Sequence, residues 1–539
     1  MTHVTTEVAR PREAVGPLIR GSAVLRALAA AGGRGSASGL VRETGLARST
    51  VDRSLSTLAH LGYVRPDGRD TVLAPRLMEL GNAYLTACGL PDLLGAVAGR
   101  LAGELDESVW ITVPDRDGVR FVHQASRRRA VSVAFRVGEL LPAECGMGGS
   151  LFAAEWSGDE WRSRRRGETG DAAVSPGAES FEARIVRARR DGWALDDRLL
   201  DPGLVAVTMP VRDRTGRQVC AVNVVGHTSR HSAGSLREAV LPRLREAVAA
   251  MEDVLAAAVA PASRPVPAVP REQVAKRDLG AEFVASFARG LGVITALGVP
   301  RAGLPLTAVA DATGLARATA RRSLITLAHL GYVVAQDGLF RLTPRVLDLG
   351  FPCLSALTLP EIAQPHLATL VARVRDSASM AVLVGDDIQY VARVPTVRIM
   401  SVDITLGTRF PAHATSMGRV LLAGLPPGER GERLRRADLR PLTSRTVTSP
   451  VRLEAILGRA DRDGYALVEE ELEEGLRSVA VPVRDLDRRV VAAINVSMHA
   501  GRITAEQARE SVLPPLRDTA ARIERDLHVA GRFLKIRTS

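Results

Sequence analysis

The sequence predicts an α+β protein built as two tandem copies of one unit, each a winged helix-turn-helix followed by a mixed tract of strands and helices. Three observations predict it. The phrase "TGLARSTVDRSLSTLAHLGYV" at residues 44–64 returns 269 positions later as "TGLARATARRSLITLAHLGYV", changed only at Ser49/Ala318, Val51/Ala320, Asp52/Arg321 and Ser56/Ile325. The register then persists. "PRLMELG" (from Pro75) and "PRVLDLG" (from Pro344) keep the offset, while "DGWAL"/"DGYAL", "MPVRD"/"VPVRD", "AVNVV"/"AINVS" and "VLPRLRE"/"VLPPLRD" share an offset of 272. Finally, within each copy a helix-rich front of about 65 residues gives way to alternating strand patterns. A period near half of the 539 residues is a duplicated two-domain unit and not a solenoid.

In the front of the second copy, a short helix over 306–313 meets Gly314, which suits the left-handed turn that ends a helix. A second helix runs from about 318 to 330. Ala310 ahead of Gly314, with apolar Val309, Leu315 and Leu324, is the arrangement that packs two helices steeply across a tight turn; Val41 takes the alanine's place in the first copy. "GYVVAQDGLFRLTP" then supplies a β-wing turning at Asp337-Gly338, and "GYVRPDGRDTVLAP" one turning at Asp67-Gly68. Further on, "MAVLVGDDIQYVARV" (380–394) reads as strand, turn, strand, and residues 478–498 repeat that pattern with a turn at 485–488. Long helices are expected near 238–257 and 506–527.

The expected organisation is a disordered N-terminus at 1–16, a winged helix-turn-helix domain at 17–83, a mixed strand-and-helix domain at 84–257, a Pro-rich linker at 258–280, a second winged helix-turn-helix domain at 281–351 and a second mixed domain at 352–530. A hydrophobic content of 46% with 24% charged residues describes an ordinary globular chain. With no apolar run near the roughly 20 residues of a membrane span and no secretory pattern at its start, a cytoplasmic protein is expected. The four cysteines sit at no metal-ligand or redox spacing, so neither a metal nor a cofactor is expected. The net charge of +12 fits a polyanionic partner. Nearly all of the positive charge is arginine, since Lys276 and Lys535 are the only lysines; a GC-rich genome gives the same bias, so the charge only supports the reading.

Helix, turn, helix and wing put one helix into a DNA major groove. The residues expected to face DNA are Arg48, Ser49, Thr50 and Arg53 in the first copy and Arg317, Thr319, Arg321 and Arg322 in the second. Arginine can be bidentate to guanine or phosphate, and hydroxyls suit either, whereas Leu55, Leu58 and Leu61, with Leu324, Leu327 and Leu330, must face the core. The bland alternative is that these arginines merely solvate an amphipathic helix. A turn glycine, a wing and a duplicate weigh against it.

The repeated phrase, the wing and "PRVLDLG" resemble the IclR family of bacterial transcription regulators over nearly all of both copies. The resemblance implies a winged helix-turn-helix joined by a linker helix to a GAF-like effector-binding domain, no catalysis, and dimers or paired dimers on palindromic double-stranded operators. Two fused units would resemble a covalent pseudo-dimer, with pairing of two chains left open. In "TLGTRFPAHATSMGRVLLAGLP", Pro411, His413, Thr415, Gly418 and "RVLLA" match the family's signature for a loop and helix start. A Thr-Ser pair before a helix offers an N-cap, and the N–H groups near Ser416, Met417 and Gly418 then make a carboxylate site. Resemblance places Glu470, Ser478, Asn495 and Ser497 opposite, with Met400 and Met417 as adaptable apolar walls and Arg393 and Arg477 as countercharges. "FVASFARGLGVI" and "GYALVEEELEEGLRSVAVPVRD" look most like the subgroup that governs protocatechuate and 4-hydroxybenzoate breakdown, so an aromatic acid effector is implied.

The first copy departs from this signature: Glu144 stands for His413 and Gly146 for Thr415, and "LDDRLLDPGLVAVTMPV" loses the Arg-Ser of "GLRSVAVPV". A carboxylate there would repel an anion. The expectation is that only the second sensor takes the effector. Two rivals stay open. A scaffold with weakened DNA binding is suggested by Asp52, a negative charge where Arg321 stands. An enzyme using His413, Cys145 or Asp463 is disfavoured, because no nucleophile, base and orienting group recur in both copies.

Overall fold

The computed structural model describes residues 11–116, 118–127, 135–157, 179–258, 282–299, 303–396 and 404–538. Residues 1–10, most of the linker expected at 258–280, and Met400 lie outside the described residues. The chain forms two compact units, residues 1–355 and 356–539. Both DNA-binding heads and the first sensor fold together in the first unit, and the second sensor is the second unit by itself.

The head of the first copy has helices Gly16–Ala30, Ala37–Thr44 and Arg48–Leu61, and that of the second has Ala285–Ala296, Leu306–Thr313 and Arg317–His329. Gly45 and Gly314, at φ 65° and 64°, make the expected left-handed turns. The second wing pairs Val333–Gln336 with Leu339–Leu342 around Asp337-Gly338. In the first, Asp67 pairs with Asp70, so the turn is at Gly68-Arg69, one residue later than the sequence suggests. Arg34, on the extra strand Arg34–Ser36, reaches both aspartates and holds them in the ladder.

The first helices of the two heads pack reciprocally. A Cβ on Gly21 would lie 2.6 Å from the ring of Phe287, and one on Gly290 would lie 2.4 Å from Leu18 Cδ1. These pairs are the same two positions exchanged, since 21 and 290, like 18 and 287, differ by the repeat offset. Each close approach needs glycine because the partner side chain occupies the space a methyl would take. Hydrogen bonds repeat the exchange. Thr326 Oγ1 accepts from Val15 N, and Thr57 Oγ1 accepts from Val284 N, both at 2.9 Å. Each threonine hydroxyl donates in turn to the carbonyl four residues earlier, Arg322 O at 2.7 Å and Arg53 O at 2.8 Å. Both threonines are fully buried, so both capacities of each hydroxyl are used where water cannot substitute.

The copies diverge after the wing. In the first, Pro75–Leu77 leads into a helix at Met78–Cys88. In the second, the 3-10 segment Pro344–Leu349 stops at Gly350, φ 108°, before a four-residue helix at Phe351–Leu354. Gly81 and Gly350 are equivalent, but Pro352 replaces Ala83 two residues on. A proline there has no N–H for the Asp348 carbonyl and its ring would clash with it, so one helix cannot run through.

Each sensor is a six-stranded antiparallel sheet of the same order. In the first that order is Leu140–Pro142, Gly118–Ala125, Ser108–Asp115, Gln218–His227, Leu204–Arg212 and Ala194–Asp197; in the second it is Arg409–Pro411, Asp387–Val394, Ser377–Val384, Val490–His499, Leu476–Arg484 and Ala466–Glu469. The first sensor's long helix, Ala233–Ala257, is continuous despite Pro242. The helix expected at 506–527 is instead two, Ala505–Ser511 and Leu513–Ala530, because the consecutive Pro514 and Pro515 remove two successive i→i−4 donors.

Replacing Gly21 by alanine drives a methyl into the Phe287 ring, and overpacking of this kind costs about 1–3 kcal/mol. Denaturant unfolding should show that loss for Gly21→Ala and a partial recovery when Phe287→Leu is added; equal losses in the single and double variants would refute the packing.

Candidate DNA interface and effector cavity

On both recognition helices the apolar side faces inward. Val51, Leu55 and Leu58 are buried in one head, and Ala320, Leu324 and Leu327 in the other. The opposite side carries Arg48, Ser49, Arg53, Arg317, Arg321 and Arg322 exposed, with Thr50 and Thr319 half-buried. All eight residues expected at DNA therefore share an open surface, though Leu61 is only half-buried where Leu330 is buried.

The two arginine clusters are tied differently. Arg48 Nε donates to both carboxylate oxygens of Asp52 at 2.9 Å, and its Nη1 reaches Ser38 Oγ at 3.1 Å. In the second head Arg321 pairs with Glu13, just ahead of the first helix of the other head, and Arg322 Nε lies 3.4 Å from the Glu13 carbonyl. These contacts are exposed and therefore weak, and a phosphate can displace them.

The second sensor has a partly open cavity of about 980 Å³, within the size range of small-molecule sites. The helix Ser416–Ala423 opens onto it. Thr415 is its N-cap, with Oγ1 accepting from Gly418 N at 3.0 Å, and the N–H groups of Ser416 and Met417 precede the first intrahelical bond. Gly418 is required by shape, because a Cβ would sit 2.2 Å from the Ala412 carbonyl oxygen. Of the residues expected at the effector, Thr415, Ser416, Met417, Ser478, Asn495 and Ser497 line the cavity.

Among the described residues, the Ser416 hydroxyl and Asn495 Oδ1 are buried with no hydrogen-bond partner. Both residues are at most 3% exposed. Asn495 Nδ2 is occupied, donating to Ser497 Oγ at 3.0 Å. Tyr390 and Phe410, with ring centroids 5.9 Å apart, join Ile404, Leu442 and Met498 as apolar lining. Arg393 also lines the cavity, as do Asp376 and Arg502, which form a bidentate pair at 3.0 and 2.6 Å.

Other expectations are corrected. His413 is buried outside the lining, its Nε2 3.2 Å from the Arg440 carbonyl, and burial holds its pKa below the usual imidazole value. Glu470 is spent on the loop: its carboxylate accepts from Gly475 N at 3.0 Å and pairs with Arg445 at 2.8 Å. Arg477 is held by Glu469, its cross-strand neighbour, and by the carbonyls of Ala500 and Ile503, so it offers no countercharge to the cavity. Gly418 acts through its shape and not as a lining group. Arg419, 3% exposed, lies outside the lining, bonded to Glu471 at 2.5 Å and to the His413 carbonyl at 2.9 Å; the charged residues that line the cavity are Asp376, Arg393, Glu473, Glu474 and Arg502. The Asp376–Arg502 pair was missed because its members lie 126 positions apart; Tyr390 and Phe410 were readable as aromatics in strand-like runs.

The first sensor is built otherwise at the same positions. Met147 and Gly146 stand where Ser416 and Thr415 do, and Met147 N donates to Asp196 Oδ2 at 2.6 Å. Asp196 is buried. Burial pushes its pKa up to about 6, against the pull of the Met147 amide and the Arg184 and Arg187 guanidiniums.

Comparison with known proteins follows these boundaries. Residues 17–68 and 286–337 match the IclR helix-turn-helix domain, and residues 82–252 and 351–525 match the bacterial transcriptional regulator IclR C-terminal domain. The Pca regulon regulatory protein of Pseudomonas putida is 42% identical over 261 residues, 48% of this chain and 89% of that protein. The p-hydroxybenzoate hydroxylase transcriptional activator of Acinetobacter baylyi (strain ATCC 33305 / BD413 / ADP1) is 36% identical over 244 residues, 44% of this chain and 90% of that protein. Among solved structures, the transcriptional regulator RHA06195 from Rhodococcus sp. RHA1 is 50% identical, covers 46% of this chain and all of its own, and aligns with a TM-score of 0.45. Among the described residues no helix is long and apolar enough to cross a membrane. With two open recognition helices and a cavity at a capped helix start, this chain belongs to the IclR family of bacterial transcriptional regulators, as a duplicated, ligand-responsive, DNA-binding member.

Proposed function

We propose that the chain is a cytoplasmic regulator of aromatic-acid breakdown, that its two heads read a paired site on double-stranded DNA, and that the effector is a hydroxylated aromatic carboxylate held in the second sensor. One observation carries the choice of ligand. The cavity offers an unpartnered hydroxyl donor at Ser416, beside helix-start N–H groups, and an unpartnered acceptor at Asn495 Oδ1. A buried polar atom without a partner costs about 1–3 kcal/mol, so the ligand that removes both costs carries an anionic acceptor at one end and an O–H donor at another. Tyr390, Phe410 and Met417 suit a ring between them. Relatives named for the Pca regulon and for p-hydroxybenzoate hydroxylase support the same class. Binding shifts the DNA equilibrium by the ligand's differential affinity for the two states, and by no more.

Calorimetric titration with 4-hydroxybenzoate and benzoate tests the assignment. Ser416→Ala should weaken both ligands about 10- to 100-fold, the cost of a charge-assisted hydrogen bond. Asn495→Leu should abolish the preference for the hydroxylated ring and leave benzoate nearly unaffected. Absence of saturable binding by any hydroxybenzoate would sink this reading.

For the heads, Arg321→Ala should lower operator affinity and relax sequence choice. Asp52→Arg should release Arg48 and add a cation, steepening the dependence of log K on log salt by about 0.9 for each phosphate gained. Electrophoretic mobility shifts across a salt series read both, and an unchanged slope in Asp52→Arg would remove that helix from the interface.

A further inference from the structure

We infer that the first sensor domain carries its own occupant: the Asp196 carboxylate and the Trp110 indole fill, from within the chain, the place that an effector takes in the second. This rests on the reading of the second cavity as the effector site. Three differences between the copies converge on it.

The first is the carboxylate. Asp196 sits on Ala194–Asp197, the edge strand, at the position of Val468, which lines the second cavity. Its Oδ2 takes the Met147 N–H at 2.6 Å, whereas in the second copy the equivalent residue, Ser416, stands open to the cavity. Gly146 leaves room for it, since a Cβ there would lie 2.9 Å from Asp196 Cγ; the second copy has Thr415 instead.

The second is the aromatic body. Trp110 pairs across the ladder with Asn223, just as Ser379 pairs with Asn495, so the indole lies on the face that the second copy leaves hollow. It is 1% exposed and packs edge-on against Phe121 at 5.3 Å and Phe135 at 5.5 Å, in the same apolar cluster as Met147.

The third is the amide. Asn223 is satisfied at both ends, with Oδ1 accepting from Thr208 Oγ1 at 2.8 Å and Nδ2 donating to Thr112 Oγ1 at 3.1 Å. Ala480 and Ala381 take these threonine positions in the second copy, where Asn495 Oδ1 is left without a partner. The helix-start N–H and the asparagine acceptor that face the second cavity are thus both taken in the first sensor.

The consequence is a domain fixed in the occupied form, and it is tied to a head. Arg120, 1% exposed, donates to Asp115 at 2.5 Å and to Asp348 at 2.7 Å, just past the second wing, and Arg116 also reaches Asp348 at 2.7 Å. The second copy has Gln389 and Gly385 at the two arginine positions and cannot make this strut. A permanently filled sensor therefore holds the second head, and one effector acts per chain.

The test is chemical rescue in the full chain. Asp196→Gly deletes the side chain that acetate reproduces, and Asp196→Ala deletes what formate reproduces. At neutral pH each variant should melt lower than the native chain. On the order of 0.1 M of the matching anion should raise its melting temperature saturably by several degrees, with no such rise in the native chain or with chloride. An equal response of native and variant chains would overturn the inference. Calorimetry of the native chain with 4-hydroxybenzoate gives a second readout: one site per chain supports it, and two sites overturn it. Failure of all hydroxybenzoate binding would instead strike the reading of the second cavity and leave the rescue result to decide this one.

Discussion

The reciprocal contact between the first helices of the two heads is the constraint on which the rest depends. Phe287 lies over Gly21 and Leu18 over Gly290, and the hydroxyls of Thr57 and Thr326 take the N–H groups that start the opposite head's first helix. Because both threonines sit on recognition helices, the exchange sets the relation of one DNA-facing surface to the other by buried contacts and not by the linker. The spacing of the two heads is therefore set by packing inside the first unit, and phosphate and base contacts are left to exposed side chains.

Outside that junction the copies have separated in what they do with the same backbone. The sheets share an order, and each has a register shift at the same place, Ile111/Thr112 and Met380/Ala381. What changed is where the polar groups find partners. In the second sensor a buried serine and a buried asparagine keep unmet capacity beside a large cavity, a cost that a ligand can relieve. In the first, two threonines and an aspartate take the equivalent asparagine and helix-start N–H. The one buried guanidinium of its sheet is turned to the second head.

Much of this was legible in the sequence, for identifiable reasons. The heads were readable because glycine turns, a helical apolar period and a wing are local signals, and the helix at Leu306–Thr313 falls where the spacing put it. The capped start at Thr415 was readable for the same reason. Arg477 and Glu470 were misassigned because a side chain's partner depends on register: Glu469 lies across the ladder from Arg477, and Gly475 offers its N–H to Glu470 only when the loop folds back. Asp196 escaped notice as a residue of interest. In sequence it is one of two aspartates in "ALDD", and only the sheet brings it to Met147, 49 positions away. The head-to-head exchange was equally invisible, since nothing local marks Gly21 as the seat of Phe287.

Duplication explains why such divergence could be kept. In a regulator assembled from two identical chains, every substitution appears twice, so an aspartate on the recognition helix or a plug in the effector cavity would disable both halves together. Fusing the copies removes that coupling: Asp52 touches one head only, and Trp110 fills one sensor only. It also makes the pairing of heads intramolecular, so that dilution no longer opposes it and the effective concentration is set by the chain itself. The head junction then needs less affinity than a dimer interface would, while the two reading surfaces, freed from identity, need not recognise the same half-site. One sensor keeps unmet polar capacity beside a cavity, while the other closes the equivalent amide and acceptor with its own side chains.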